Sequence, residues 1–177
     1  MTNSYKKEYP FVGYAGFGGG VGALSAKSSA TKTYVDDVFS TYVYAGNSST
    51  QSIDNGIDLS GEGGMTWIKG RDDTVSHFLY DTVRGAGEQI NTDSNTDKHT
   101  DTNRFSSFNS NGFTLGNNAY TNDSSYTYSS WSFRKAKGFF DVVTYTGTGS
   151  DQNISHSLGS IPGMILVKRT DSSANWG

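Results

Sequence analysis

With 177 residues, the chain has room for one ordinary domain and some extension, but not for two large domains. Only 33% of it is apolar while 14% is aromatic, so a core must rely on large rings, each burying on the order of 150–250 Å². A net charge of −3 provides no global field for DNA or an anionic membrane, and zero cysteines exclude disulfides, thiolate metal sites and cysteine nucleophiles.

Residues 1–36 open on a polar stretch, Met1 to Lys7, with no signal-peptide apolar core behind it. The glycine cluster Gly13-Tyr14-Ala15-Gly16-Phe17-Gly18-Gly19-Gly20-Val21-Gly22 has no helical period and too much glycine for a strand interior. Two readings stay open: a flexible leader, or an arm whose Tyr9, Tyr14 and Phe17 dock into a partner and become ordered there. A phosphate loop is excluded because Val21 and Ala26 stand where both required glycines should be. Gly-x-Gly-x-x-Gly fails at Val21 as well.

Residues 37–137 read as a string of short strands. Phe39 to Tyr44 is β-branched and aromatic, and Gly46-Asn47-Ser48-Ser49 punctuates it. Met65 to Lys69 follows a glycine-rich turn, Phe78 to Tyr80 comes next, and a polar stretch runs from Asn91 to Asn103. Phe105 to Phe108 and Phe113 to Leu115 flank Asn111-Gly112, a hairpin signal. In the strand from Tyr126 to Phe133, Tyr126, Tyr128 and Ser130 share one face; Thr127, Ser129 and Trp131 share the other. No segment sustains an amphipathic helical period, so an all-β, jelly-roll-like sandwich is predicted. Trp67 and Trp131 lie in alternating strands, where core packing is the expected role and a sugar-stacking platform the alternative.

Residues 138–177 repeat the first strands. Phe39, Tyr44, Gly46, Gln51 and Ile53 recur at an offset of about 101 as Phe140, Tyr145, Gly147, Gln152 and Ile154, and Ile57 recurs as Leu158. After a shift of about two residues, Gly64 to Lys69 matches Gly163 to Lys168. This is the start of a second, incomplete repeat: either a fragment of a longer chain or strands that pair with something else.

Catalytic and metal signatures are sparse. His77, His99 and His156 have no zinc spacing and read as surface histidines. Glu62 and Glu88 are the only glutamates of the sandwich region, and glycoside hydrolysis needs two facing acids about 5–9.5 Å apart. Asp54, Asp58 and Glu62, like Asp93, Asp97 and Asp101, recur every fourth residue without the pattern of a compact calcium loop. Asp81-Thr82-Val83-Arg84-Gly85 reads as a surface ion pair worth about 0–1 kcal/mol. No cofactor is predicted, and the expectation is a non-enzymatic protein.

Taken together, Val38 to Gly70, Asp81 to Gly85, Phe108 to Gly116, Trp131 to Lys135 and the returning Leu158-Gly159-Ser160-Ile161-Pro162-Gly163-Met164 resemble a module of marine bacteriophage tail and fibre proteins. The resemblance covers residues 37–177 and implies a lectin-like (concanavalin or laminin-G type) sandwich, displayed on virions and often in tandem. It transfers no catalytic or ligand-binding residues. The implied role is a tail fibre component contributing to host attachment through a surface glycan or protein. The alternatives are a capsid or tail decoration protein without host binding, and a glycan-degrading enzyme. A virion released by lysis would carry the protein out of the cell without a secretion signal. A homo-oligomer, a trimer, is expected because multivalency raises weak adhesion, with residues 1–36 anchoring the module to other virion proteins. Neither nucleic-acid binding nor a membrane span is expected.

Overall fold

The computed structural model describes residues 32–177. Tyr9, Tyr14 and Phe17 therefore lie outside the described residues. Among the described residues, nine strands and three single-turn helices follow one another as α1 (Val35–Val38), β1 (Phe39–Ala45), β2 (Gln51–Asp54), α2 (Leu59–Glu62), β3 (Gly64–Gly70), β4 (Phe78–Asp81), β5 (Glu88–Asn91), β6 (His99–Thr100), β7 (Ser107–Asn109), β8 (Gly112–Leu115), α3 (Ala119–Asn122) and β9 (Thr127–Arg134). Every strand pairing is antiparallel, in a six-stranded sheet ordered β1-β9-β3-β4-β5-β6 and a three-stranded sheet ordered β2-β8-β7. The fold is the all-β sandwich that the alternation and turn chemistry predict.

The core lies between the sheets. Tyr44, Ile68, Phe78, Tyr80 and Tyr128 enter it from the large sheet, Ile53, Phe113 and Leu115 from the small one, and Phe105 from the loop before β7. Between these rings the central strands β3 and β9 place Thr66, Ser130 and Ser132, all buried. Their hydroxyls are satisfied locally. Thr66 Oγ1 lies 3.1 Å from Ser132 Oγ, which also accepts from Asn55 Nδ2 at 2.8 Å, and Ser130 Oγ donates to the Tyr42 carbonyl. Small residues in the middle of the large sheet leave the space that the stacked aromatics occupy.

The predicted hairpin is present, but its glycine has a different job. β7 and β8 are joined by Ser110 and Asn111, and Gly112 already pairs with both Asn109 and Asp54. Gly112 has φ +141°, and a Cβ there would collide with the carbonyl oxygen of Ile53. The residue is needed for close strand approach rather than for the turn itself.

Residues 141–177 contribute no strand to either sheet. The chain from Phe139 onward lies against the large sheet through a few contacts. Phe139 and Phe140 pack on Phe133, with centroids 6.3 and 5.6 Å away, and Trp176 Nε1 donates to the Asn91 carbonyl at 3.0 Å. Asp141 anchors the beginning of this segment, taking Lys135 Nζ at 2.9 Å and both the N–H and hydroxyl of Ser157 at 2.7 Å. Burial alone would push the Asp141 carboxyl up; the Ser157 N–H, Lys135 and the Ser157 hydroxyl outweigh it and hold it at about 2. Since the folded value lies below the ordinary 3.8, the anchor is in place above about pH 4 and is lost as pH falls towards 2. An NMR titration should therefore show the Ser157 amide shifting with a midpoint near 2, and Lys135→Ala should raise that midpoint. An unperturbed midpoint in the intact chain would disprove the anchor.

Candidate functional site: the outer face of the large sheet

Strand alternation sends Trp67 and Trp131 away from the core. β3 buries Gly64, Thr66, Ile68 and Gly70, leaving Met65, Trp67 and Lys69 on the other side; β9 likewise buries Tyr128, Ser130 and Ser132 and turns Trp131 outward. The core role expected for both tryptophans is therefore corrected. They are half-buried on the outer face and take no part in the core cluster. The reason is the second sheet, which covers the face carrying the hydroxyls.

Strand register sets the indoles in one row. Thr41 of β1 pairs with Trp131, Trp131 with Trp67, Trp67 with Leu79, and Leu79 with Ile90. The two indoles lie 5.5 Å apart at 51°, and the His77 ring is 6.3 Å from Trp67. On one side the next row is Phe39, Phe133 and Met65; on the other it is Val43, Ser129 and Lys69. Lys69 Nζ is drawn down onto the carbonyls of Gly70 (2.6 Å) and Asp73 (2.9 Å), so the charge does not project over the indoles. Leu79 and Ile90, at the far end, are buried, whereas Thr41 and Val43 are exposed. The row thus opens toward the β1 edge. Two tilted indoles bordered by hydroxyls and an imidazole offer flat apolar faces with polar groups alongside, a surface suited to stacking against a ring.

Thr41, Val43 and His77 were not singled out for this site by their sequence positions. Only pairing of β1 with β9, far apart in the chain, brings the first two beside Trp131. At the position matching Trp67 the second copy has Leu166, so the indole row belongs to the first copy alone.

The other sequence-predicted candidates are dispersed. Glu62 lies on an open cleft of about 520 Å³ with Thr82, Ser107, Phe108 and Lys135, and pairs with Arg134 at 3.6 Å. Glu88 does not line that cleft. Hydrogen bonds from Lys98 and Thr100 hold its carboxyl below the usual range, the opposite of the shift a general acid needs. Asp58 caps α2 by accepting from the Gly61 N–H, and Asp101 accepts from the Asn103 N–H and Asn118 Nδ2. Among the described residues, no three His, Cys, Asp or Glu side chains converge as a metal site, and no helix is long and apolar enough to cross a membrane.

The Asp81-to-Gly85 motif is a structural lock, which corrects its expected surface role. Asp81 Oδ1 accepts from the N–H groups of Val83 (3.0 Å) and Arg84 (2.9 Å), and Oδ2 receives Arg84 Nε at 2.5 Å. Both side chains are buried, at 4% and 8% exposure. Thr82 Oγ1 in turn accepts from the Gly64 N–H, tying the turn to β3.

The family model described as "Domain of unknown function (DUF7483)" matches residues 35–139 and, a second time, residues 136–177. No curated protein and no solved structure matches the chain. A sandwich whose elements span the first match, followed by a second match over the repeated segment, makes this chain a member of the DUF7483 domain family.

Proposed function

We propose that this chain is a bacteriophage virion structural protein, a tail fibre component that contributes to host attachment through the Trp67–Trp131 row. The observation carrying this reading is the outward placement of two large indoles on a sandwich whose core is complete without them. Tryptophan is enriched at binding centres, where large rigid rings supply contact area at low entropic cost. The resemblance to marine phage fibre modules supports the virion setting. The lectin-like jelly roll, a trimeric assembly and anchorage through Tyr9, Tyr14 and Phe17 are parts of the same proposal.

Trp131→Ala should reduce binding of multivalent protein to host cells or their surface glycans by at least about tenfold, equivalent to about 1.4 kcal/mol. Its melting temperature should fall by only a few degrees, because the ring lies outside the core. Unchanged binding by Trp131→Ala and Trp67→Ala together would reject the platform. Labelled antibody on intact particles tests the setting: label on tail appendages supports a fibre, and label over the head would reassign the protein to capsid decoration.

A further inference from the structure

Sheet edges present unpaired N–H and C=O groups, and folded proteins protect them with charges, proline, bulges or brevity. Among the described residues, β6 is two residues long and flanked by Lys98 and Asp101, β7 has three residues, and β2 carries Asp54. The β1 edge differs. Its seven residues, Phe39 to Ala45, include no charge, proline or glycine, and they pair with β9 in unbroken register. The Gly46 N–H donates to the Tyr126 carbonyl at 3.0 Å, and the Tyr42 carbonyl receives the Ser130 hydroxyl, so the even-numbered residues of β1 direct their backbone groups at β9. In an antiparallel ladder the alternate residues direct theirs the other way. The Phe39 N–H closes α1 on the Val35 carbonyl, and the Ala45 carbonyl receives Gln51 Nε2. That leaves the N–H and C=O of Thr41 and Val43 unmatched among the described residues. At the same place Tyr42 and Val43 are 39% and 56% exposed.

We infer that β1 is a self-pairing edge whose partner is β1 of a second copy of this chain, antiparallel about a twofold axis at Tyr42. Self-complementarity fixes the partner. A strand without charge meets its own copy with no like-charge repulsion, and a twofold contact uses the same patch on both chains. The open backbone groups fix the register. With the two Tyr42 residues opposite each other, each Thr41 faces Val43 of the second copy, and these pairs exchange N–H···O bonds in both directions. Every group so matched is one that the single chain leaves open. An axis at Thr41 or at Val43 would instead call on Phe39 or Ala45, whose groups are partly taken. The Tyr42 rings meet as a non-hydrogen-bonded pair, the closer kind, and Val43 is covered by Thr41 on the outer face. Two six-stranded sheets become one continuous sheet. Val43 of the second copy also closes the open end of the indole row beside Thr41. A twofold contact does not build the proposed trimer; it is a separate contact, and it rests neither on the virion role nor on ligand binding.

The chain has no cysteine, so Tyr42→Cys in the full chain is a single-thiol probe of the axis. Opposed residues of a non-hydrogen-bonded pair lie about 4.5 Å apart at Cα, within disulfide reach. Val43→Cys would meet its copy only on the diagonal, at about 7–8 Å. Oxidised glutathione should therefore convert Tyr42→Cys to a disulfide-linked dimer and leave Val43→Cys largely unlinked. Adding Val43→Pro to Tyr42→Cys should reduce cross-linking at least about tenfold, because proline deletes an edge N–H that pairing needs. Thr41→Lys should act alike by placing a charge on the edge. Amide protection of β3 in both variants checks that the sandwich is folded. In the unaltered chain the Thr41 and Val43 amides should exchange faster on dilution, as dimers part. Sedimentation as a monomer at every concentration, with Tyr42→Cys unlinked, would overturn the inference. So would equal cross-linking with and without Val43→Pro, since the contact would then not run along the edge. Slow exchange at Thr41 and Val43 that dilution leaves unchanged in a monomer would also overturn it, and would assign the edge to another segment of the same chain.

Discussion

Phe105→Ala should lower the unfolding free energy by about 3–5 kcal/mol, the range for deleting a fully buried ring. Phe105 is 0% exposed. Its ring stacks on Tyr80 at 4.6 Å and on Phe113 at 5.3 Å, and meets Phe108 at 4.7 Å. Tyr80 belongs to the large sheet and Phe113 to the small one, so this single ring, supplied by a loop, joins the two layers. Alanine would leave a cavity between sheets that backbone pairing holds in place, and relaxation into it would be limited. Against a typical total of about 5–15 kcal/mol, such a loss brings the domain close to unfolding at 25 °C. Urea denaturation with unchanged slope measures it, and Phe105→Leu, which retains most of the volume, should cost under about 1.5 kcal/mol. A loss below about 1 kcal/mol for alanine would mean that the sheets are held together elsewhere.

Asp81→Ala and Arg84→Ala should each destabilise by about 3–5 kcal/mol, because either change leaves a buried charge without its partner. The Asp81 carboxylate also holds two backbone N–H groups of the turn, and Arg84 Nη2 donates to the Leu79 carbonyl at 3.3 Å. Removing both partners should cost less than the sum of the single changes by about 1–3 kcal/mol, since the stranded charge disappears with them. Lysine at position 84 should rescue little, because an ammonium cannot reproduce the guanidinium's separate Nε and Nη contacts. Thermal or urea unfolding of the four proteins completes the cycle. Single-mutant losses under about 1 kcal/mol would return the pair to the surface category that its sequence alone suggests.

That difference illustrates what linear spacing leaves open. Asp81 and Arg84 three residues apart in a polar turn look the same whether exposed or buried, yet in the fold their side chains are 4% and 8% exposed. Strands β5 and β6 are similarly obscure, since Glu88–Asn91 is polar and pairs because β4 offers it an edge, with Leu79 opposite Ile90 and Phe78 opposite Asn91. Phe105, by contrast, stood out as a large ring near the hairpin, but its bridging position between sheets came from the loop's tertiary path.

Alternation in β3 and β9, β-branched and aromatic runs, and glycine-rich punctuation were enough to establish short strands, an all-β sandwich and the grouping of Tyr128 with Ser130 against Trp131. The correspondence of residues 138–177 with the first strands was equally legible, because a repeat is a property of residue order. Which side of the large sheet became the core was not. Period-two alternation divides residues into two faces without ranking them, and hydrophobicity would have placed the tryptophans inside. The second sheet closed instead over Thr66, Ser130 and Ser132, where small side chains leave room for Phe105 and Phe113, and so the indoles were turned outward. Strand formation in the second repeat was decided in the same way: backbone hydrogen bonds need a neighbouring strand, and β9, β8 and β4 serve only the first copy.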